Sequence, residues 1–405
     1  MSGLKAFLAA HRAALLGLAG ALAALALFWA ARSSRAAMDW WVESVSMPVK
    51  RALGAVCDPL SFSVCEAGAT LLILGAVGLL VRAIWQAAHG QPAALGAFGL
   101  HLAVLLLWGY AGVCALWGTQ YYAASFAEKA GMETAPVSAA QLEAVTRYFG
   151  RQVAACADSV PRDEAGRFAV SREDIMADTA GLYDGLTGRW AFLEGPDRRA
   201  KPAFYSKLMS AWGFTGYLCP LTGESTLNVD CPEVFLPVTI AHEYAHQRGV
   251  AAEQEANFVG ILASIASGRP AYVYSGWLYG CQHLSNALYR ADPEAASACM
   301  AELPAAARAD FAYNNAYWAS WKGPVREVGE TVYDSFLRSY GQELGMQSYG
   351  ACVDLLVAEF LPLALYRRRL PCPKISNLRH AKMPPSRWTG VICAQTIYKM
   401  GLIGV

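Results

Sequence analysis

Three long apolar runs constrain this chain more than any other feature. Residues 13–31 (AALLGLAGALAALALFWAA) carry no charge, and residues 68–85 carry only Arg82, close enough to the end of the run for its side chain to reach the interface. Residues 95–117 (LGAFGLHLAVLLLWGYAGVCALW) carry one histidine, His101, and end among aromatic residues suited to the headgroup region. Each run is long enough to cross the roughly 30 Å hydrocarbon core of a bilayer as a helix. With 55% hydrophobic and 16% charged residues, the chain is also more apolar than soluble domains usually are. The first run exceeds the core of a signal peptide and two more follow it, so it is expected to remain as an anchor. This organisation predicts a membrane domain at 1–117 with three transmembrane helices, a water-facing domain at 118–365, and a distinct tail at 366–405.

The charge balance narrows the partners. A net charge of +1, with no basic helix interleaved with aromatics, excludes nucleic acid as an expected partner and leaves the lipid bilayer as the first one. Three spans put the chain's two ends on opposite sides, and two cues to orientation oppose each other. Arg32, Arg35, Lys50 and Arg51 pull the first loop toward the cytoplasm, against Lys5 and Arg12 before the first span and Arg82 in the second loop. Of eleven cysteines only Cys114 lies within a span, and close pairs such as Cys57 with Cys65, Cys219 with Cys231, and Cys281 with Cys299 suit an oxidising compartment, although buried free thiols would explain each pair equally well. The cysteines are the ground for expecting the C-terminal domain outside the cytoplasm.

After the third span the pattern is mainly helical. Ser138 with Gln141 forms a capping box ahead of a helical run, and Ser171 with Asp174 offers a similar start for SREDIMADTAGLYDGL. In GFTGYLCPLTGESTLNVDCPEVF the glycines, prolines and β-branched residues point to extended chain with turns, and TGESTLNV reads as an edge strand that could hold an extended substrate. Helices resume at PVTIAHEYAHQ, EQEANFVGILASIASG, ELPAAARADFAYNNAYWASW and ETVYDSFLRSYGQ. Beyond Glu359 no acidic residue occurs, while Arg367, Arg368, Arg369, Lys374, Arg379, Lys382, Arg387 and Lys399 gather around prolines without periodicity. That tail is expected to be disordered or atypical and is assigned no function. The fold class expected is mainly α with a small β component.

Chemistry concentrates in PVTIAHEYAHQRGVAAEQEANFVG. Residues four apart share a helix face, so His242 and His246 can present two imidazoles to one ion. Glu243 then lies beside the open coordination position, where it could take a proton from water and pass it to a leaving amine. Pro237 suits a first turn and Gly249 a C-terminal stop. Five-residue motifs also recur by chance on ordinary helices; the stop at Gly249, the acidic helix that follows, and the apolar lead-in VFLPVTI favour a metal site here.

Glu253 and Glu255 compete as third ligand. Two residues apart means about 200° around a helix, so both cannot serve. Glu253 has Asn257 one turn on, placed to orient a metal-bound histidine. Glu255 lies on the stripe of Phe258, Leu262 and Ile265, where a buried carboxylate needs a partner and a metal would be one. Geometry alone puts Glu253 only slightly ahead. Tyr272, Tyr274 and His283 follow in sequence without a pattern that singles out an oxyanion donor.

The chain resembles a family of bacterial membrane proteins described as domain of unknown function 3810, whose members look like zincin metallopeptidases. The segments that carry the resemblance are PLSFSVCEAG, WGTQYY, KPAFYSKLMSAWGFTGYLCPLTGESTLN, TIAHEYAHQRGVAAEQEANF and YDSFLRSYGQELGMQSYG, and it runs from the first span to about Phe360. The site is also similar to the gluzincin group, in which a glutamate after HExxH is the third ligand and an Asp or Asn follows it by four residues. That resemblance implies His242, His246 and Glu253 as zinc ligands, Glu243 as catalytic base and Asn257 behind them. This sequence departs from the pattern in the short separation of His246 from Glu253 and in Asn257 where Asp is common.

The resulting expectation is a multi-pass protein of the bacterial cell membrane whose zinc-dependent peptidase domain lies outside the cytoplasm and cuts a peptide or protein near the membrane. Its rivals are a zinc-binding membrane module without catalysis that holds an envelope partner, and a hydrolase of a non-peptide amide.

Overall fold

The computed structural model describes residues 2–340 and 352–366, with side chains from residue 5 onward. The basic tail from Arg367 and the GQELGMQSYG end of the resemblance lie outside the described residues. The chain is mainly helical and divides into two compact units: residues 1–125 with 200–205 and 217–226, and residues 126–199 with 206–216 and 227–405.

In the first unit, three helices are long and apolar enough to cross a membrane: Arg12–Ala31, Val64–Ala88 and Ala93–Leu116. The side chains of Leu71, Leu72, Ile73 and Leu74 are 58–70% exposed around one turn of the second. A water-facing helix would lose about 1.5–3 kcal/mol at each such residue relative to burial, so an apolar medium must cover them. The first and third helices pack through small residues, and Trp108 donates its indole N–H to the Gly17 carbonyl at 3.0 Å.

The second span begins on a charged clamp. Ser63 caps it by accepting the Glu66 N–H. Its next orphan N–H groups, on Val64 and Cys65, donate to the Glu224 carboxylate at 3.2 and 3.1 Å. Lys201 Nζ neutralises Glu224 at 2.5 Å and also donates to the Cys57 carbonyl at 2.7 Å. Glu66 in turn accepts the N–H groups of Phe204 and Tyr205 at 2.7 and 3.2 Å. A carboxylate against a helix N-terminus, with a cation on its other side, is the arrangement in which a buried charge is tolerated.

The sheet has three short strands, β1 (Lys201–Pro202), β2 (Gly216–Cys219) and β3 (Glu224–Leu227), in the order β1-β3-β2. The sequence places TGESTLNV at an edge; in the structure β3 is the central strand, and all four of its residues are buried. The short β1, which no periodicity announces, takes its free side and leaves β2 as an edge. The nine described cysteines are free thiols, so none of the pairs read from spacing is bonded.

In the second unit the helices Ala139–Cys156, Pro270–Ala291 and Cys352–Tyr366 meet at Phe149, Trp277 and Phe360, whose rings lie 4.8–5.6 Å apart. The capping box at Ser138 and Gln141 forms as expected. Ser171 caps its helix too, but that helix ends at Ala177 rather than running on to Leu186, with Gly181 in a left-handed turn beyond it.

Among the described residues of the first unit, one lysine is buried without an ionic partner. Lys50 is 4% exposed, its Nζ makes no hydrogen bond, and its ammonium faces the Trp117 ring 5.1 Å away. Burial, helped by neighbouring Arg51, pulls its pKa from the ordinary 10.5 to about 7. Between those values the unfolded chain holds a proton that the folded chain has released, so stability rises with pH across that window and the cost is complete below about pH 7. Lys50→Met should stabilise the protein by about 1–4 kcal/mol at pH 6 and by little at pH 10, as read by thermal unfolding in detergent at both pH values.

Candidate metal centre

The HEYAH motif lies on the helix Leu236–Gln247, with Pro237 in its first turn. The helix stops where the sequence says it should. Gly249, at φ +88°, donates to the His246 carbonyl at 3.1 Å, and Val250 donates to the Ala245 carbonyl at 3.1 Å. These two bonds are a Schellman stop, which needs the left-handed residue that glycine supplies. The stop also turns the Val250 carbonyl back toward the motif, where it pairs with His246 Nδ1 at 2.6 Å. With Nδ1 occupied, Nε2 is the nitrogen left to face an ion.

Arg248, just before that glycine, anchors the helix from behind. Its buried guanidinium donates to the carbonyls of Leu193, Tyr244 and Gly195, pairs with Asp197, and lies 4.0 Å over the Tyr183 ring. Tyr183 in turn donates to the Ala241 carbonyl at 2.6 Å.

The following helix, Glu253–Ala266, carries the third donor. Glu253 Oε2 lies 3.3 Å from His242 Nε2, and Oε1 lies 3.7 Å from His246 Nε2. Among the described residues these three form the one group whose donor atoms all fall within 4.8 Å of one another. Four ligands set tetrahedrally at about 2.0–2.1 Å around zinc stand roughly 3.3 Å apart, so the observed separations suit a shared ion with little adjustment.

Two glycines make this convergence possible. A Cβ on Gly260 would lie 2.8 Å from the backbone nitrogen of His242 and 2.9 Å from its Cα, so the two helix backbones touch at the first histidine. A Cβ on Gly216 would lie 2.7 Å from Glu243 Oε1, so that glycine makes room for the Glu243 carboxyl group.

Glu243 is 2% exposed and its Oε2 has no hydrogen-bond partner. Burial raises its pKa to about 8, with His242 opposing and Glu253 reinforcing the shift. Burial also weighs on Glu253, but the His242 hydrogen bond and the charge of His246 outweigh it and hold its pKa near 2. For His242 burial opposes protonation, and Glu253 more than offsets it, leaving its pKa raised. Two carboxylates ten residues apart thus stand on opposite sides of neutrality, the usual division between a proton carrier and a fixed charge.

The structure separates the two candidates for third ligand. Glu255 does lie buried on the core side, but its carboxylate accepts the N–H groups of Phe126 and Ala127 at 2.8 and 2.9 Å, at the start of the helix Phe126–Ala130. Its partner is a helix end, not the imidazoles. Asn257 adjoins the His242 ring and favours its protonated form. Its Oδ1 accepts from Tyr279 Oη at 3.4 Å, and its Nδ2 and His242 Nδ1 make no hydrogen bond.

One residue at the site escapes sequence reasoning. Tyr333, on the helix Pro324–Ser339, donates from Oη to Glu253 Oε1 at 2.6 Å, and its ring packs edge-on against Phe214 at 5.3 Å. It lies eighty residues beyond its partner, and nothing local marks it out. Tyr272 and Tyr274 serve elsewhere, donating to the Ile175 carbonyl and to Asp310, and His283 packs edge-on against Tyr279.

Gly260→Ala should force the two helices apart, lower stability by about 1–3 kcal/mol, and reduce bound metal measured by elemental analysis of the purified protein. Glu255→Gln should lower the unfolding temperature while leaving metal content unchanged, because the lost bonds cap a helix rather than hold an ion.

No curated protein and no solved structure matches this chain. The family model described as a protein of unknown function, DUF3810, matches residues 42–357, so the chain belongs to that family.

Proposed function

We propose that this chain is a membrane-anchored, gluzincin-like zinc metallopeptidase that hydrolyses an extended peptide or protein near the surface of the bacterial cell membrane. His242, His246 and Glu253 hold the ion, and Glu243 is the general base. The observation that carries this reading is the convergence of two imidazole nitrogens and one carboxylate beside a buried carboxyl group with an unpaired oxygen. Two neutral nitrogens and one anionic oxygen are a donor set of catalytic zinc sites, which keep a position open for water. A bound zinc ion would polarise the scissile carbonyl and make water a stronger acid.

The chain's own groups supply the rest. His246 is locked in one tautomer by the Val250 carbonyl, so its Nε2 is ready to ligate without rearrangement. Glu253 keeps its negative charge near neutral pH, which fits a ligand better than a proton carrier. Glu243 has the opposite character: with its pKa raised to about 8, it binds and releases a proton near neutrality. It can therefore accept the proton of the attacking water and deliver it to the leaving amine. Tyr333 Oη reaches Glu253 in the same group of atoms and is a candidate to steady negative charge developing on the substrate. The extracytoplasmic placement rests on the number of cysteines, since no pair read from their spacing is bonded.

Replacing Glu243 with Gln should leave zinc bound at one ion per chain and lower the turnover of an unstructured protein substrate by about 10²–10⁴-fold. Full peptidase activity in that variant, or a wild-type protein that purifies without zinc and fails to take it up, would overturn the reading. Zinc binding with no turnover of any peptide would favour the non-catalytic module that holds an envelope partner. Turnover confined to non-peptide amides would reassign the substrate.

A further inference from the structure

Exposed aromatic rings gather at one end of the membrane-crossing helices, brought there by segments distant in sequence. The second and third of those helices are joined by residues 89–92 alone, a connection too short to recross the bilayer. Val64, at the head of the second helix, and Leu116, at the foot of the third, therefore lie on the same side of the membrane. Phe204 and Tyr205 are tied to that head. Their N–H groups donate to Glu66 at 2.7 and 3.2 Å, and Tyr205 Oη lies 2.9 Å from Thr70 Oγ1, one turn further along. Phe62 stands just before the Ser63 cap of the same helix. At the foot of the third helix Trp41 donates its indole N–H to the Ala115 carbonyl at 2.9 Å, which brings its neighbour Trp40, on the helix Arg35–Trp41, to that end as well.

Trp40, Phe62, Phe204 and Tyr205 are 60, 52, 85 and 38% exposed. We propose that these four side chains form an interfacial collar, outside the spans, that sinks into the headgroup and upper acyl region of the bilayer and fixes the height of strand β1 at the membrane surface. The strand is bound to the collar by the chain itself, since Lys201–Pro202 leads straight into Phe204.

Position argues for lipid. The run of exposed aliphatic residues on the second helix begins at Leu71, one residue after Thr70 and five after Glu66. At the rise of an α-helix the two anchors of the Phe204–Tyr205 loop stand about 2 Å and about 7 Å from that level along the axis. Rings so placed meet the depth at which acyl chains give way to headgroups, where aromatic side chains are favoured.

Chemistry argues the same way. Single exposed apolar residues are ordinary on a water-facing surface, but four aromatic rings from three segments at one rim are not. Tyr205 shows the division an interface asks for, with its ring exposed and its hydroxyl paired to Thr70. The loop is firmly held, because both its N–H groups are bonded and the Phe204 and Tyr205 rings pack edge-on at 5.0 Å. The charges that flank it are engaged inside the protein, Glu66 by those N–H groups and Lys201 by Glu224 and the Cys57 carbonyl. The loop thus meets lipid by its rings, and a zwitterionic bilayer suffices. A second copy of the chain would have to displace lipid from rings that already border the spans.

The test uses the full-length protein in phosphatidylcholine nanodiscs that include a phosphatidylcholine with a diazirine on an upper acyl carbon. After illumination, adducts are mapped by peptide mass spectrometry, and hydroxyl-radical oxidation of Phe204 is compared between the nanodisc and the peptide released by digestion. The expected result is adducts on the peptides that hold Trp40, Phe62 and Phe204, at yields comparable to Leu71–Leu74, and oxidation of Phe204 several-fold slower in the nanodisc. Phe204→Asp should lose the adducts at its own peptide and keep those at Leu71–Leu74, a split that general unfolding would not give. Adducts confined to the spans, with Phe204 oxidised as fast as in the released peptide, would overturn the proposal. Protection of Phe204 without adducts, in discs that carry two copies of the chain, would overturn it in favour of a contact between copies.

Discussion

The contact on which the candidate metal centre depends is one between backbones. At Gly260 the second helix of the site lies against the main chain of His242, closer than any side chain would permit. That approach carries Glu253, two turns earlier on the same helix, to within 3.3 Å of the first imidazole. A carboxylate's reach is only a few ångströms, so a helix held off by even one methyl group would leave the histidines without their third donor. The Schellman stop at Gly249 performs the complementary task, because it reverses the chain in four residues and lends His246 a carbonyl. The close spacing of His246 and Glu253, unusual beside the gluzincin pattern, follows from that abrupt reversal.

Charge burial recurs in both units and is handled in different ways. Glu224 is surrounded by Lys201 and by the free N–H groups of a helix start, so its charge is balanced on every side. Glu255 uses the same device with the Phe126 and Ala127 N–H groups. Glu243 has no such help: its unpaired oxygen and raised pKa mark the one acidic site group that the fold leaves ready to exchange a proton. Lys50, equally unpartnered, loses its proton more readily than an ordinary lysine and leans on an aromatic face. An unbalanced buried charge lowers stability, and such groups persist where chemistry or binding needs them. The base of the proposed reaction meets that description.

Local patterns in the sequence were legible where a single helix or turn decided the outcome. The three apolar runs, the capping box at Ser138, the N-cap at Ser171, the motif helix and its stop at Gly249 all appear at the residues that signalled them. The choice of Glu253 over Glu255 was only partly legible. Helical geometry showed that the two must diverge, but the helix end that satisfies Glu255 belongs to a segment 128 residues earlier. The strand reading failed in position for the same reason: the pattern of TGESTLNV says extended chain, while its central place depends on the two-residue strand at Lys201. The cysteines are the plainest case, since the sequence neighbours proved unbonded.

By itself the sequence determined the membrane-crossing helices, the mainly helical class and the two-histidine face with its adjacent glutamate, because each follows from a periodicity of 3.6 residues or from bilayer thickness. Tertiary structure alone decided which carboxylate joins the histidines, that Tyr333 reaches that carboxylate and that Gly216 leaves space for Glu243. Each of these depends on two segments distant in sequence meeting at ångström precision. Such meetings are set by how helices and strands pack, which no local pattern encodes.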